Sequence, residues 1–261
     1  MTTLRVPKRL LVGNPMRSGQ LHETLLPKRL ALPVYCSDAI SSNAYATQEI
    51  LLVLALGGAS LVLLTPWVAL AVVALLALVT LSYRQTCHAY PDGGGAYAVS
   101  RANLGRNPSL IAAAALMVDY VMTVAVSIAS GVENFVSAFP GLTPYSVELC
   151  VGFIVVITVM NLRGVRESGT AFAIPTYGFI VSVYVMLVAG FWNAATGHTP
   201  VAESAHLGFT GTSPAGAALI ILVLRAFASG CTSLTGVEAV SNGVPTFREP
   251  KTRNASITLL L

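Results

Sequence analysis

Residues 50–83 have the sequence ILLVLALGGASLVLLTPWVALAVVALLALVTLSY, which contains no charged side chain. At about 20 residues per membrane crossing, this run holds the end of one span and the whole of a second. The rest of the chain agrees, because 54% of its 261 residues are hydrophobic, only 10% are charged, and the mean hydropathy is +0.72. Soluble domains carry about 25% charged residues, and disordered chains are poor in apolar ones. The sequence therefore predicts an all-α polytopic membrane protein.

Six membrane spans are predicted on this basis, separated by clusters of Gly and Pro. Residues 1–29 are polar and basic and are expected to form a cytoplasmic N-terminal tail, followed by one transmembrane domain over 30–261. The spans lie at about 30–57, 61–83, 108–139, 145–162, 169–193 and 214–241.

The basic residues predict the orientation of these spans. With six spans and a cytoplasmic N-terminus, all fifteen Lys and Arg except Arg225 fall in cytoplasmic segments. Such an excess of Lys and Arg is typical of cytoplasmic loops, so the net charge of +4 requires no nucleic acid partner. We expect a multi-pass protein of the cell membrane.

A seventh apolar run begins at about residue 255 and is too short to cross a bilayer before the sequence stops at Leu261. We therefore expect the chain to be a fragment of a longer protein or a truncated gene product.

Three carboxylic acids are predicted at membrane depth, where each ionisable side chain costs about 2.5–3.5 kcal/mol and marks a functional position. At a rise of about 1.5 Å per residue, Asp38 lies roughly 13 Å into the first span and Asp119 roughly 16 Å into the third. Glu238 belongs to the sixth span, together with Arg225, which can neutralise at most one of the acids.

Small and hydroxyl-bearing residues surround two of these acids, over 36–47 around Asp38 and over 228–238 around Glu238. They are expected to let the backbone unwind, which membranes tolerate only where the backbone is buried or lines a cavity. Interrupted spans at corresponding positions indicate the binding site of a transporter. The alternative is that small residues only allow close helix packing, which would not require an acid in each break.

The third span adds a polar stripe. Asp119, Thr123 and Ser127 are four residues apart and share one helix face, with Tyr120 beside them. A hydroxyl such as that of Ser127 can instead bond its own backbone. The three acids and the neighbouring hydroxyl groups together offer oxygen ligands with excess negative charge, which suit a hard cation. A buried acid can also carry a proton.

Other classes of function have little support in the sequence. The four cysteines show no CxxC spacing, which argues against zinc and a disulfide framework. The Gly93-Gly94-Gly95 run lacks the Lys-Ser/Thr sequel of a phosphate-binding loop and is expected to shape a cytoplasmic turn. Neither an enzyme nor a cofactor is expected.

Four segments together resemble KimA-type potassium–proton symporters of the amino acid–polyamine–organocation (APC) superfamily. They are SDAISSNAY at 37–45, PDGGGAY at 91–97, NLRGVRESG at 161–169 and LTGVEA at 234–239. The resemblance covers nearly all of the chain after residue 30, and the motifs are specific in combination.

The resemblance implies a LeuT-like fold of two inverted five-helix repeats, of which this chain would hold the first repeat, the sixth helix and the start of the seventh. It implies uptake of potassium coupled to protons, with the lipid bilayer as surroundings. It also suggests a homodimer and a cyclic di-AMP-sensing domain, both involving C-terminal parts absent from this sequence. Tyr45 and Thr235 gain their prominence from the resemblance. The potassium ligands that it implies are Asp38, Tyr45, Asp119, Tyr120, Thr123, Ser127, Thr235 and Glu238.

Two alternatives remain open. An amino acid or polyamine permease shares the fold, although Asp38 would repel a substrate carboxylate that approached the first break. A truncated membrane subunit that does not itself transport is the second alternative.

Overall fold

The computed structural model describes residues 25–162, 165–198, 201 and 214–261, apart from the side chains of residues 59 and 165–168. Most of the predicted tail, residues 1–24, lies outside this part, as do Arg163 and Gly164 of the 161–169 motif. Helices make up nearly all of the described residues, and no strand longer than an isolated bridge occurs among them. The predicted all-α class is confirmed.

The described residues form eleven α-helices, numbered here in chain order. The first six are α1 (Lys28–Tyr35), α2 (Ser37–Ala55), α3 (Ala59–Val62), α4 (Thr65–Ala89), α5 (Gly95–Asn103) and α6 (Arg106–Ala138). They are followed by α7 (Ser146–Leu162), α8 (Val165–Ala195), α9 (Ala217–Gly230), α10 (Val237–Asn242) and α11 (Lys251–Thr258). Short 3₁₀ segments occupy Pro140–Tyr145, Cys231–Leu234 and Val244–Thr246.

Five helical stretches among the described residues are long and apolar enough to cross a membrane. They are Ser60–Ala89, Arg106–Ala138, Pro140–Leu162, Gly169–Ala195 and Ala217–Asn242. The first predicted span, 30–57, is not among them. It is divided into α1 and α2 at Cys36, and the first half of α2 is rich in polar residues. The predicted positions of the membrane crossings themselves stay predictions.

Two helices differ from the sequence expectation. Helix α4 continues to Ala89, beyond the predicted end at residue 83. A span predicted from apolar residues alone stops before the polar last turns of this helix. Helix α5 begins at Gly95, the last glycine of the run at 93–95, where the sequence predicts only a turn.

One hydrophobic cluster joins α2, α4 and α9. Its buried residues are Ile50, Val53, Leu54, Val68, Val72 and Ala226. Gly230 allows α9 to pack closely against α2 and α4, since a Cβ atom placed there would lie 2.8 Å from Ile50 Cγ1 and 3.0 Å from Val72 Cγ2. Close packing through small residues is the usual basis of helix association in lipid.

A second cluster joins α1, the end of α4, α10 and α11, and it includes the fully buried Leu26 and Phe247. The Leu26 amide donates to the Thr246 carbonyl (2.8 Å), and the Arg248 amide donates to the Leu26 carbonyl (3.1 Å). Tyr35 stacks on Phe247, and its hydroxyl hydrogen-bonds with that of Thr246 (2.7 Å). The segment before α1 is thereby fixed to the loop that follows α10.

Replacing Gly230 with Ala is expected to lower the unfolding temperature of the detergent-purified protein. The new methyl would press on Ile50 and Val72, which are both buried, and overpacking of this kind costs about 1–3 kcal/mol. Gly131→Ala is the matched control, because no atom outside its own helix lies within 4 Å of a Cβ at this position in α6. Thermal unfolding that shifts equally in the two variants would contradict the packing described here.

Candidate functional site

Three helices contribute one carboxylic acid each to the same region. Asp38 lies in the first turn of α2, Asp119 in the middle of α6, and Glu238 in the first turn of α10. The three groups are near enough to repel one another electrostatically. Within the described residues, no group of three acidic, His or Cys side chains is close enough to hold one metal ion. The acids therefore face a common region and do not form a shared ligand cage in this structure.

The interruption of the first span is confined to Cys36, whose backbone angles are φ −112° and ψ −2°. The Cys36 amide donates to the Leu32 carbonyl (2.8 Å), and its own carbonyl accepts from the Ile40 amide (2.8 Å). The expectation of an unwound stretch over 36–47 is thus wrong for residues 37–47, which are helical. The helix restarts at Ser37 and places Asp38 at its N-terminal end, where the helix dipole favours negative charge.

The sixth span, in contrast, is interrupted over several residues, as the sequence predicted. Helix α9 ends at Gly230, Thr235 is extended (φ −63°, ψ 144°), and Gly236 has the left-handed φ of +79°. A Cβ atom on Gly236 would lie 2.7 Å from Asp38 Oδ2 and 3.0 Å from the Ala39 nitrogen. Gly236 therefore both turns the chain and lets Asp38 contact the break.

A network of hydroxyl groups connects the two interrupted spans. The fully buried Ser42 hydroxyl hydrogen-bonds with Tyr45 Oη and with Thr235 Oγ1, both at 2.7 Å. Thr235 Oγ1 also donates to the Thr232 carbonyl at 2.8 Å. Sequence analysis did not single out Ser42, although its spacing of four from Asp38 puts both residues on one face of α2.

Glu238 and Tyr120 form a second group. Glu238 is only 8% exposed, and its Oε1 atom has no hydrogen-bond partner among the described residues. Tyr120 Oη accepts a hydrogen bond of 2.6 Å from Asn242 Nδ2. Glu238 interacts electrostatically with Tyr120 and with Asp119, which precedes Tyr120 in the sequence. This group of residues therefore includes side chains of α6.

Two cavities of about 410 Å³ each adjoin α6. The first is lined by Asp38, Thr123 and Ser127, with Ser37, Ser41 and Thr176 among its other polar residues. The second is lined by Tyr45, Thr235 and the same Thr123 and Ser127. Five of the eight predicted ligands thus line these cavities, and Asp119, Tyr120 and Glu238 make up the neighbouring group.

Basic side chains do not neutralise these acids in the part of the chain that the structure describes. Arg225, the cation predicted inside the sixth span, is exposed on α9. The ion pair found among the described residues joins Lys251 and Glu249 on the surface (3.8 Å). When ionised, Asp38, Asp119 and Glu238 therefore have no ion-pair partner among the described residues.

Comparison with known proteins gives two results. A family model described as amino acid permease matches residues 31–261. The chain is also similar to the protein named potassium transporter KimA of Bacillus subtilis (strain 168), with 45% identity over 254 residues, or 97% of this chain.

The match covers 41% of that relative, so the chain spans about two fifths of the relative's length. Both descriptions are of transport proteins, which agrees with the motifs at 37–45 and 234–239 and with the helices long enough to cross a membrane. The chain is a multi-pass membrane protein that belongs to the amino acid permease family.

Proposed function

We propose that this chain is part of a secondary active transporter that takes up potassium, coupled to protons, across the cell membrane. The observation that carries the proposal is the gathering of Asp38, Asp119 and Glu238 from three helices without a basic partner among the described residues. The name of the Bacillus relative supports potassium as the transported ion.

The charge balance of the site favours a cation. Carboxylates at membrane depth are costly, and an attracted positive ion offsets part of that cost. The hydroxyl oxygens of Tyr45 and Thr235, with the carboxylate of Asp38, are hard ligands that can replace the water shell of a monovalent cation. Thr123 and Ser127, which line both cavities, extend this oxygen surface along α6.

Within this proposal, Glu238 carries the proton. A buried carboxyl oxygen without a hydrogen-bond partner is far less costly on a neutral acid than on a carboxylate. A proton on Glu238 would also relieve repulsion from Asp38 and Asp119. The proposal also includes a cytoplasmic N-terminus, which the clusters of Lys and Arg support. It includes a homodimer formed through parts outside this chain.

An amino acid permease is the second candidate, favoured by the description of the matching family. Such a carrier must accept a substrate carboxylate. Asp38, at the N-terminal end of α2 and against Gly236, occupies the position where exposed amides would receive that carboxylate. The two candidates therefore differ in what they require at residue 38.

Replacing Asp38 with Asn is expected to lower potassium uptake about 10- to 100-fold, the range expected for losing a charged ligand. Uptake is measured in cells that lack their own potassium importers, with equal amounts of protein in the membrane. Glu133→Gln, at an exposed position of α6, is the matched control and should transport normally. An amino acid carrier would instead tolerate Asp38→Asn, so amino acid uptake that persists in this variant would favour the second candidate.

Replacing Glu238 with Gln is expected to abolish the response of potassium uptake to external pH, because Gln cannot gain or lose a proton. The intact protein should take up potassium faster at acidic than at alkaline external pH, since an inward proton gradient drives it. Glu249→Gln, which alters only an exposed ion pair, should keep this response. The assignment of the proton to Glu238 would be wrong if the Gln variant responded to pH as the intact protein does.

A further inference from the structure

Asn242 joins two parts of the molecule that are far apart in sequence. It ends α10, one helical turn after Glu238, so the two side chains lie on the same side of the helix. Its Nδ2 atom donates a 2.6 Å hydrogen bond to Tyr120 Oη in α6. The proposed function assigns no role to Asn242.

The glycine run at 93–95 also lies against Asn242. A Cβ atom on Gly93 would lie 2.6 Å from the Asn242 carbonyl oxygen, and one on Gly95 would overlap its Oδ1. Both glycines have a positive φ, +79° and +42°. The run therefore does more than shape a turn, because it approaches Asn242 more closely than any residue with a side chain could.

The position of Tyr120 depends on this contact. Its side chain is 40% exposed, so packing alone leaves it several rotamers. The amide of Asn242 fixes the hydroxyl oxygen, and a phenol oxygen that accepts one hydrogen bond keeps a lone pair for a cation. Ligands must be held to within about 0.5 Å to bind well, which a free tyrosine does not achieve.

We propose that Asn242 is a positioning residue, clamped by the glycine run, that holds the Tyr120 hydroxyl ready for the transported cation. The inference rests on the proposed function and adds a residue to that site. It also gives the PDGGGAY segment a role at the site, because Gly95 packs against the Asn242 amide and Gly93 against the backbone of the same residue.

A double-mutant cycle on potassium uptake tests this role. Asn242→Ala is expected to raise the KM for potassium about three- to tenfold, the worth of one hydrogen bond, and to leave the maximal rate within about twofold. In a Tyr120→Phe background, where no hydroxyl remains to be held, the same substitution should change KM by less than about twofold. Asn103→Ala is the matched control, because it removes a similar hydrogen bond to Tyr90 Oη (3.1 Å) on the exposed surface.

A second variant, Asn242→Leu, separates the loss of the hydrogen bond from a folding defect. The two methyl groups of leucine fill nearly the same space against Gly95 as the amide does. This variant should reproduce the increase in KM. Three results would overturn this inference but leave the proposed function standing. They are an unchanged KM in both variants, an increase in KM that is undiminished in the Tyr120→Phe background, and the loss of both variants from the membrane. Absence of potassium uptake by the unmodified protein would overturn the proposed function and this inference with it.

Discussion

The contact between Asp38 and the backbone at Gly236 is the constraint on which the described site depends. It brings the acid of the first span to within 2.7 Å of the position that a side chain would occupy in the sixth. At this point α1 has ended and α2 has just begun, while the chain between α9 and α10 passes through a 3₁₀ turn and the extended Thr235. Any residue larger than glycine would separate the two interrupted spans, and Ser42 would lose its bond to Thr235.

Around this contact, buried polar groups lie beside the two apolar clusters, while many apolar side chains cover the outer surface of the helices. Helices α4, α6, α7 and α8 expose most of their apolar side chains, which suits a chain surrounded by lipid and by further helices. Among the described residues, eight polar or charged residues are buried, and four of them lie near the breaks: Ser42, Ser233, Glu238 and Ser241. An acid in such surroundings is stabilised either by a proton or by a cation, and a potassium–proton symporter would use both in turn.

Much of this arrangement is predictable from the sequence, because membrane crossing and helix breaking leave strong local signals. Long apolar runs gave the helices, and the Ser, Thr and Gly residues near Glu238 gave the break of the sixth span. The first break was overestimated, because Ser and Ala residues that suit an unwound segment are equally compatible with a helix. Asn242 and Ser42 were missed, since their roles come from partners 122 and 193 positions away, and one sequence carries no signal of such pairings.

The central claim is that the charge gathered at the breaks serves a cation. Reconstitution of the purified native protein into liposomes tests it most directly, by measuring radiolabelled rubidium, as a potassium substitute, and labelled amino acids in parallel under an inward proton gradient. The account predicts rubidium uptake that excess potassium inhibits and that a proton uncoupler stops, with no amino acid uptake. Amino acid uptake without any rubidium uptake would contradict it and would make this chain part of a permease in the narrower sense.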